Sequence, residues 1–296
     1  MPLPIMPDPF SGFILIDKPC GISSFDVIRS LRRHLGIRRI GHAGTLDPFA
    51  SGLLVCAVGK YTRLLQFVEN QSKTYEAMMI LGTKTNTGDP EGVVVQQVDF
   101  HLDETKLTQL KSAVLQLSKQ QVPAYSAIKI DGKRAYQYAR ENAELEMPIR
   151  DICVYDFEII NIDESTPSQF SLSYRVQVSK GTYIRALSEQ IAELLGTVGY
   201  TVELRRTAIG RASVTDAIGL DDLQSNKVFL MPARALLSNM PGLELSQTQA
   251  QDILHGKTLC MEAPDTEAVA LYSSDGNLIG IAEINAGTLK PRIVVA

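Results

Sequence analysis

Leu172, Tyr174, Val176 and Val178 alternate with polar residues; after the turn Ser179-Lys180-Gly181-Thr182, Ile184, Leu187, Ile191 and Leu194 recur at spacings of three and four. A period of two marks a strand with one buried face, and a period near 3.6 marks a helix with one apolar stripe. Other segments repeat these two patterns. Tyr75, Ala77, Met79 and Leu81 predict a strand over Lys73 to Leu81, while Leu107, Leu110, Val114 and Leu117 have helical spacing. Gly12 to Ile16 and Leu53 to Val58 are unbroken apolar runs, read as buried strands, with Asp17 to Gly21 as a turn. Ile28, Leu31 and Leu35 mark a helix that Ser23 or Ser24 can cap and Gly36 can end. Past a boundary near Asn239-Met240-Pro241-Gly242 comes a small, mostly β module. It has one short helix, about Ser246 to Leu254, and strand-like pieces at Ala268 to Tyr272, Leu278 to Ile284 and Arg292 to Ala296.

At 296 residues, 45% hydrophobic and 21% charged, the chain suits one large globular domain or two ordinary ones. No apolar run approaches the roughly 20 residues needed to cross a bilayer. Met1 to Pro9 lacks a basic region and is broken by proline, so it does not read as a secretory signal. Cys20, Cys56, Cys153 and Cys260 lie far apart, which fits neither a disulfide framework nor a zinc site and implies a reducing, cytoplasmic location.

The net charge of −4 argues against binding nucleic acid by bulk charge, yet the charge is unevenly spread. Arg29, Arg32, Arg33, Arg38 and Arg39 crowd one stretch with no intervening acid. Taken alone, this face reads at least as readily as a solvated helix surface as it does as a phosphate-binding one. From Pro123 to Arg150, Lys129, Lys133, Arg134, Arg140 and Arg150 interleave with Tyr125, Tyr136 and Tyr138. That mixture suits nucleic-acid backbones and bases. Glu141, Glu144 and Glu146 also allow a hairpin and helix with ordinary surface charge.

The four histidines are isolated, and no P-loop, dinucleotide fingerprint or Gly-x-Ser-x-Gly elbow is present. What remains is the glycine-rich loop Gly41-His42-Ala43-Gly44-Thr45-Leu46-Asp47-Pro48. Asp-Pro by itself reads as a helix cap. Gly41 and Gly44 suggest room for a ligand, His42 adds a ring that can stack or donate, and the strand that follows would hold the loop rigid.

Several motifs in order make the sequence resemble the bacterial tRNA pseudouridine-55 synthases, the TruB-type family. They are Asp17-Lys18-Pro19 with Gly21 and Ser23-Ser24, the Gly41 to Pro48 loop, Lys73 and Tyr75, and Leu81-Gly82 with Thr85, Thr87, Asp89 and Gly92. Then come Pro123, Tyr125-Ser126-Ala127, Lys129, Gly132 and Tyr138-Ala139-Arg140, followed by Ser179 to Arg185 and Leu204-Arg205-Arg206. Ala43 stands where many relatives have Thr, and Glu141 where many have Gly.

The resemblance implies an α+β pseudouridine-synthase fold, with a mixed, largely antiparallel sheet flanked by helices and a small PUA-like C-terminal domain. It implies a catalytic domain over 1–240, with an RNA-clasping insertion at about 121–151, and an RNA-binding domain over 241–296. The reaction breaks the N1–C1′ bond of a uridine, turns the base and joins C5 to C1′. No redox change occurs, so no cofactor or metal is implied. Asp47 is implied as the essential carboxylate, attacking the nucleotide or taking a sugar proton, and Arg185 as its ion-pair partner. Tyr75 is implied as the stacking ring, Tyr183 and Leu204 as pocket walls, and His42 as the contact where the base leaves the stack. For both tyrosines, core packing is the alternative. Lys18 is implied at the site, as a brace for the loop more than a substrate contact. The arginine-rich helix, the excursion with Lys129 and the Arg205-Arg206 pair are the candidate RNA phosphate contacts. The partner is the T arm of tRNA, bound by a monomer. A non-catalytic RNA-binding or tRNA-folding protein is the alternative, disfavoured because Asp47 and Arg185 are both present. A glycosidase would need two cooperating carboxylates.

Overall fold

The computed structural model describes residues 11–126, 128–130, 132–141, 145–166, 169–224 and 230–295. Met1 to Pro9, Ala127, Glu144 and Ala296, each used in the reading above, lie outside them, as do the side chains of Tyr136, Ala139 and Arg140. The chain begins with β1 (Gly12–Lys18), α1 (Ser24–Leu35), β2 (Ile40–Ala43), β3 (Ser51–Val58) and a short α2 (Leu65–Glu69). Next are β4 (Lys73–Leu81), the hairpin β5 (Thr83–Thr85) and β6 (Val94–Gln97), and α3 (Glu104–Leu115). The excursion comprises β7 (Lys119–Gln121), β8 (Lys129–Ile130), β9 (Lys133–Arg134), α4 (Ala135–Arg140) and β10 (Ile149–Asp151). β11 (Val154–Thr166) and β12 (Gln169–Val178) lead to α5 (Ile184–Leu195) and β13 (Gly199–Ile209). The remainder is β14 (Ala212–Ser213), β15 (Ile218–Gly219), α6 (Ala233–Leu236), β16 (Gly242–Leu245), α7 (Gln247–Leu254), β17 (Leu259–Cys260), β18 (Thr266–Ser273), β19 (Leu278–Asn285) and β20 (Thr288–Val294).

The backbone forms two compact units. The first holds residues 1–47, 52–70 and 208–296, and the second holds 48–51 and 71–207. In the first, β1 pairs antiparallel with β3 and parallel with β15, while β2 lies antiparallel to β3. β1 and β3 read as unbroken apolar runs because both faces of each are covered. Ile14, Ile16, Leu54, Cys56 and Val58 pack against Val27, Ile28, Leu31 and Leu35 of α1. Phe13, Leu15, Leu53, Val55 and Ala57 join a second cluster that includes Ala270, Tyr272, Leu278, Ile281 and Val295 from the C-terminal strands. Those strands form a five-stranded sheet in the order β16-β18-β19-β20-β17, with α7 beside it.

α1 starts where its sequence says. Ser23 caps it, accepting from the Asp26 N–H, while the Asp26 carboxylate accepts from the Ser23 N–H, and Gly36 ends it at φ 68°. β1 runs two residues beyond the apolar stretch, through Asp17 and Lys18, which the sequence reading assigned to the turn. Pairing continues to Lys18 opposite Gly52, and the strand stops at Pro19, which has no N–H to donate.

In the second unit β11, β12, β4 and β13 are neighbours in that order, with β12 antiparallel to both β11 and β4. α5 buries Ile184, Leu187 and Ile191 as the spacing predicts, but its last turn brings Leu195 inward and leaves Leu194, the fourth residue of the predicted stripe, 36% exposed. The excursion is closed at its base by antiparallel β7 and β10, and it carries a small core of Val122, Ala135 and Met147. It is therefore a hairpin and a helix with an apolar centre of their own.

Candidate functional site

The residues implicated by sequence divide between the two units. In the first, β2 and β3 are joined by the loop that carries Asp47. The stretch Gly41 to Pro48 is only half loop: its first residues belong to β2, with His42 opposite Cys56. The pairing is possible because Ile40 and Ala43 are apolar and buried, a short strand pattern hidden beneath the glycines. The structure gives each glycine a reason unrelated to ligand space. A Cβ at Gly41 would meet Leu65 Cδ1 at 2.9 Å, and Gly44 adopts φ 76°, the left-handed region.

Asp47 itself is half-buried and caps no helix: a turn follows at Pro48-Phe49, and β3 begins at Ser51. The helix-cap reading of Asp-Pro is thereby replaced. The loop is anchored from α1, where buried Ser24 donates to the Leu46 carbonyl (3.1 Å) and accepts from the Leu46 N–H (2.8 Å). Both polar groups of the residue before Asp47 are thus committed to one side chain. Lys18 is fully buried, and its ammonium donates to the carbonyls of Pro19 (2.9 Å) and Ile22 (2.8 Å), stiffening the turn ahead of α1. His42 is half-buried on β2.

In the second unit, Arg185 sits in the first turn of α5 and is 4% exposed. Its guanidinium donates to the carbonyls of Thr87 (2.7 Å) and Tyr125 (2.9 Å) and lies 3.4 Å from the Asp89 carboxylate. Asp89 is buried too, accepting from the Thr87 hydroxyl (2.6 Å) and the Glu91 N–H (3.1 Å). The turn-rich segment Thr85 to Gly92 is thus a cradle for Arg185. Sequence reasoning gave Asp89 no role: nothing in a chain of turn residues says which carboxylate faces inward. Farther along α5, Glu189 has its carboxyl raised by burial, an effect opposed by Lys84 at 3.6 Å.

Tyr183 is the residue before α5. Buried Gln120 brackets it, accepting from its N–H (2.8 Å) and donating to its carbonyl (3.1 Å), and its ring packs against the excursion's small core. Gln120 is a second residue that sequence reasoning missed; one polar amide in a polar stretch carries no signal. Tyr75 is 7% exposed in the inward-facing row of β4, opposite Val176. Leu204 is 7% exposed on β13, a neighbour of β4. Adjacent Arg205 and Arg206 point to opposite sides of that strand. Arg205 reaches Ser51 Oγ at 3.4 Å, whereas Arg206 is 1% exposed and so is not available as a surface phosphate contact. Lys129 is exposed on β8, and nearby Lys133 pairs with Glu141 while lying 4.7 Å from the Tyr138 ring centre. Glu141 therefore neutralises one of the excursion's bases.

An open cleft of about 730 Å³ lies elsewhere in the first unit, lined by Arg211, Arg234, Glu244 and Tyr272 among others; none of its residues belongs to the Asp47 loop. Among the described residues, no group of three or more His, Cys, Asp or Glu side chains is placed to hold a metal ion. No helix of the described residues is long and apolar enough to cross a membrane.

Residues 32–184 match the TruB family pseudouridylate synthase N-terminal domain, and residues 241–295 match the pseudouridine synthase II TruB C-terminal domain. The tRNA pseudouridine synthase B of Aromatoleum aromaticum is 36% identical over 291 residues, covering 96% of this chain and 92% of that protein. That of Thermobifida fusca is also 36% identical, covering 96% of this chain and 98% of the other. Among solved structures, a chain of an H/ACA RNP bound to a substrate RNA containing 2′-deoxyuridine superposes with a TM-score of 0.72 at 21% identity, covering 98% of this chain and 86% of that one. A chain of a Cbf5-Nop10-Gar1 complex does so with a TM-score of 0.72 at 22% identity, covering 99% and 88%. These two likenesses bear on fold, and the mixed sheet with flanking helices and a mostly β C-terminal module is the pseudouridine-synthase architecture. Since the first domain match covers more than half of the chain and relatives are 36% identical along nearly all of it, the chain belongs to the TruB family of pseudouridylate synthases.

Proposed function

We propose that this protein isomerises uridine 55 in the T arm of tRNA to pseudouridine, with Asp47 as the carboxylate that acts on the reacting nucleotide. The observation that carries the reading is the Asp47 loop. Asp47 is half-buried, caps no helix, and is fixed one residue away by the two Ser24–Leu46 hydrogen bonds. A rigid mounting of this kind costs little reorganisation when the substrate arrives. Arg185 serves as the cation for the Asp47 carboxylate, and Lys18 braces the turn beside it. The target base must leave its stack, at a cost of a few kcal/mol. Stacking on Tyr75 returns roughly 1–3 kcal/mol, with Tyr183 and Leu204 as walls and His42 at the point of extrusion.

The excursion, through Lys129, and Arg205 contact the RNA backbone, and residues 241–296 form a further RNA-binding domain. The protein works as a monomer in the cytoplasm. Phosphate contacts make affinity fall steeply as salt rises.

The test is to incubate the protein with an unmodified tRNA transcript and map pseudouridine at base resolution. The expected outcome is a single modified site, U55. Asp47→Asn is expected to abolish the product while leaving the tRNA dissociation constant within several-fold. Full activity in that variant would remove Asp47 from the chemistry.

A further inference from the structure

α1 carries two different faces. Val27, Ile28, Leu31 and Leu35 are buried. On another face, Phe25, Arg29 and Arg32 follow one another at steps of four and three, the spacing that stacks side chains along a helix. Phe25 is 53% exposed, and the guanidinium carbons of Arg29 and Arg32 lie 5.8 and 5.6 Å from its ring centre. An isolated exposed apolar residue is unremarkable. This one is a large aromatic ring held among cations, and it directly follows Ser24, the residue that anchors the Asp47 loop.

The surrounding charge selects the occupant. Arg33, Arg38 and Arg39 are exposed as well, and Asp26, paired with Arg29, is the sole acid between Asp17 and Asp47. Arg32 is held in place by its bond to the Ile40 carbonyl (3.1 Å), so its position beside the ring does not depend on a ligand. A half-exposed ring that already holds planar cations over it matches a nucleobase, which brings another π-system to the ring and guanidiniums, and a phosphate to the arginines. A neutral apolar protein surface would have to desolvate those guanidiniums without a partner.

We propose that Phe25, with Arg29 and Arg32, is a stacking platform for an unpaired nucleobase of the RNA substrate other than the base that reacts, and that Arg33 takes an adjacent phosphate. The inference rests on the reading that this chain acts on RNA. It adds a contact that anchors the RNA on the α1 side of the Asp47 loop.

The chain contains no tryptophan, so Phe25→Trp provides a single fluorescent reporter at the platform. Titrating that variant with an unmodified tRNA transcript is expected to quench its emission, whereas a blunt, fully paired RNA duplex is expected to leave it nearly unchanged. Phe25→Ala is expected to weaken tRNA binding about fivefold or more, with an unchanged melting temperature and single-turnover isomerisation on saturating tRNA within twofold of wild type. Phe25→Trp is expected to bind at least as tightly as wild type. Unchanged tRNA affinity in Phe25→Ala, or emission from Phe25→Trp that does not respond to tRNA, would overturn the proposal. So would equal quenching by the duplex, which would mean that phosphates alone are sensed. Wild-type protein that neither binds nor modifies tRNA would refute the functional reading itself, a result distinct from an active enzyme indifferent to Phe25.

Discussion

At the scale of single residues, the buried Arg185–Asp89 pair invites the sharpest test. Both side chains are nearly out of solvent, and Asp89 is oriented by Thr87 and Glu91. Asp89→Asn keeps the shape and removes the charge. Breaking one member of a buried ion pair costs about 3–5 kcal/mol when no other partner compensates. Two backbone carbonyls still hold Arg185, so the expected stability loss is smaller, about 1–3 kcal/mol. A displacement of the guanidinium by about 1 Å is enough to lower turnover about 100-fold. The expected outcome is that drop in single-turnover rate with tRNA affinity unchanged, measured on saturating tRNA. A variant with wild-type turnover would show that Asp89 only supports the fold.

At the scale of elements, the start of α1 carries both stability and position. Ser23 and Asp26 form a reciprocal cap, and the Asp26 carboxyl is lowered from 3.8 to about 2, chiefly by the Ser23 hydroxyl and then by Arg29. A carboxyl that ionises more readily in the folded chain adds stability that is whole above its ordinary value and is lost as pH falls through the folded one. The contribution of Asp26 should therefore persist above about pH 4 and fade toward about pH 2, an interval that carboxyl NMR titration resolves. Ser23→Ala is expected to cost about 1 kcal/mol in denaturant unfolding. Because Ser24 grips the Asp47 loop from the same turn, that variant should also raise amide exchange at Leu46. Unaltered exchange there would separate the cap from the loop.

At the scale of the whole molecule, the C-terminal strands are more than an appendage for RNA. Ala270, Tyr272, Leu278, Ile281 and Val295 share an apolar cluster with Phe13, Leu15, Leu53, Val55 and Ala57. Ending the chain at Met240 uncovers that cluster, and losing several large buried side chains at about 1.5–3 kcal/mol each is comparable to the 5–15 kcal/mol that holds a typical domain together. The truncated chain is expected to be aggregated or to melt far below the full protein in calorimetry. A soluble truncation with the parent melting temperature would refute this. The RNA contacts proposed for this module are better probed by substituting exposed Lys290, which lies outside the cluster.

The sequence alone determined the elements whose causes are local. The period of Tyr75 to Leu81, the apolar face of α5 from Ile184 to Ile191, and the caps at Ser23 and Gly36 stand where their residues place them, whereas the last strand begins at Thr288, four residues ahead of the predicted Arg292. The order of motifs also carried the family. Tertiary structure decided what depends on partners distant in the chain. It decided that Gly41 to Ala43 is strand because β3 lies beside it, that Arg206 faces inward while Arg205 does not, and that Asp89 and Gln120 meet α5. Periodicity reports which face of an element is dry. It does not report which distant polar group will satisfy a buried cation or amide, because that pairing is set only when the chain closes on itself.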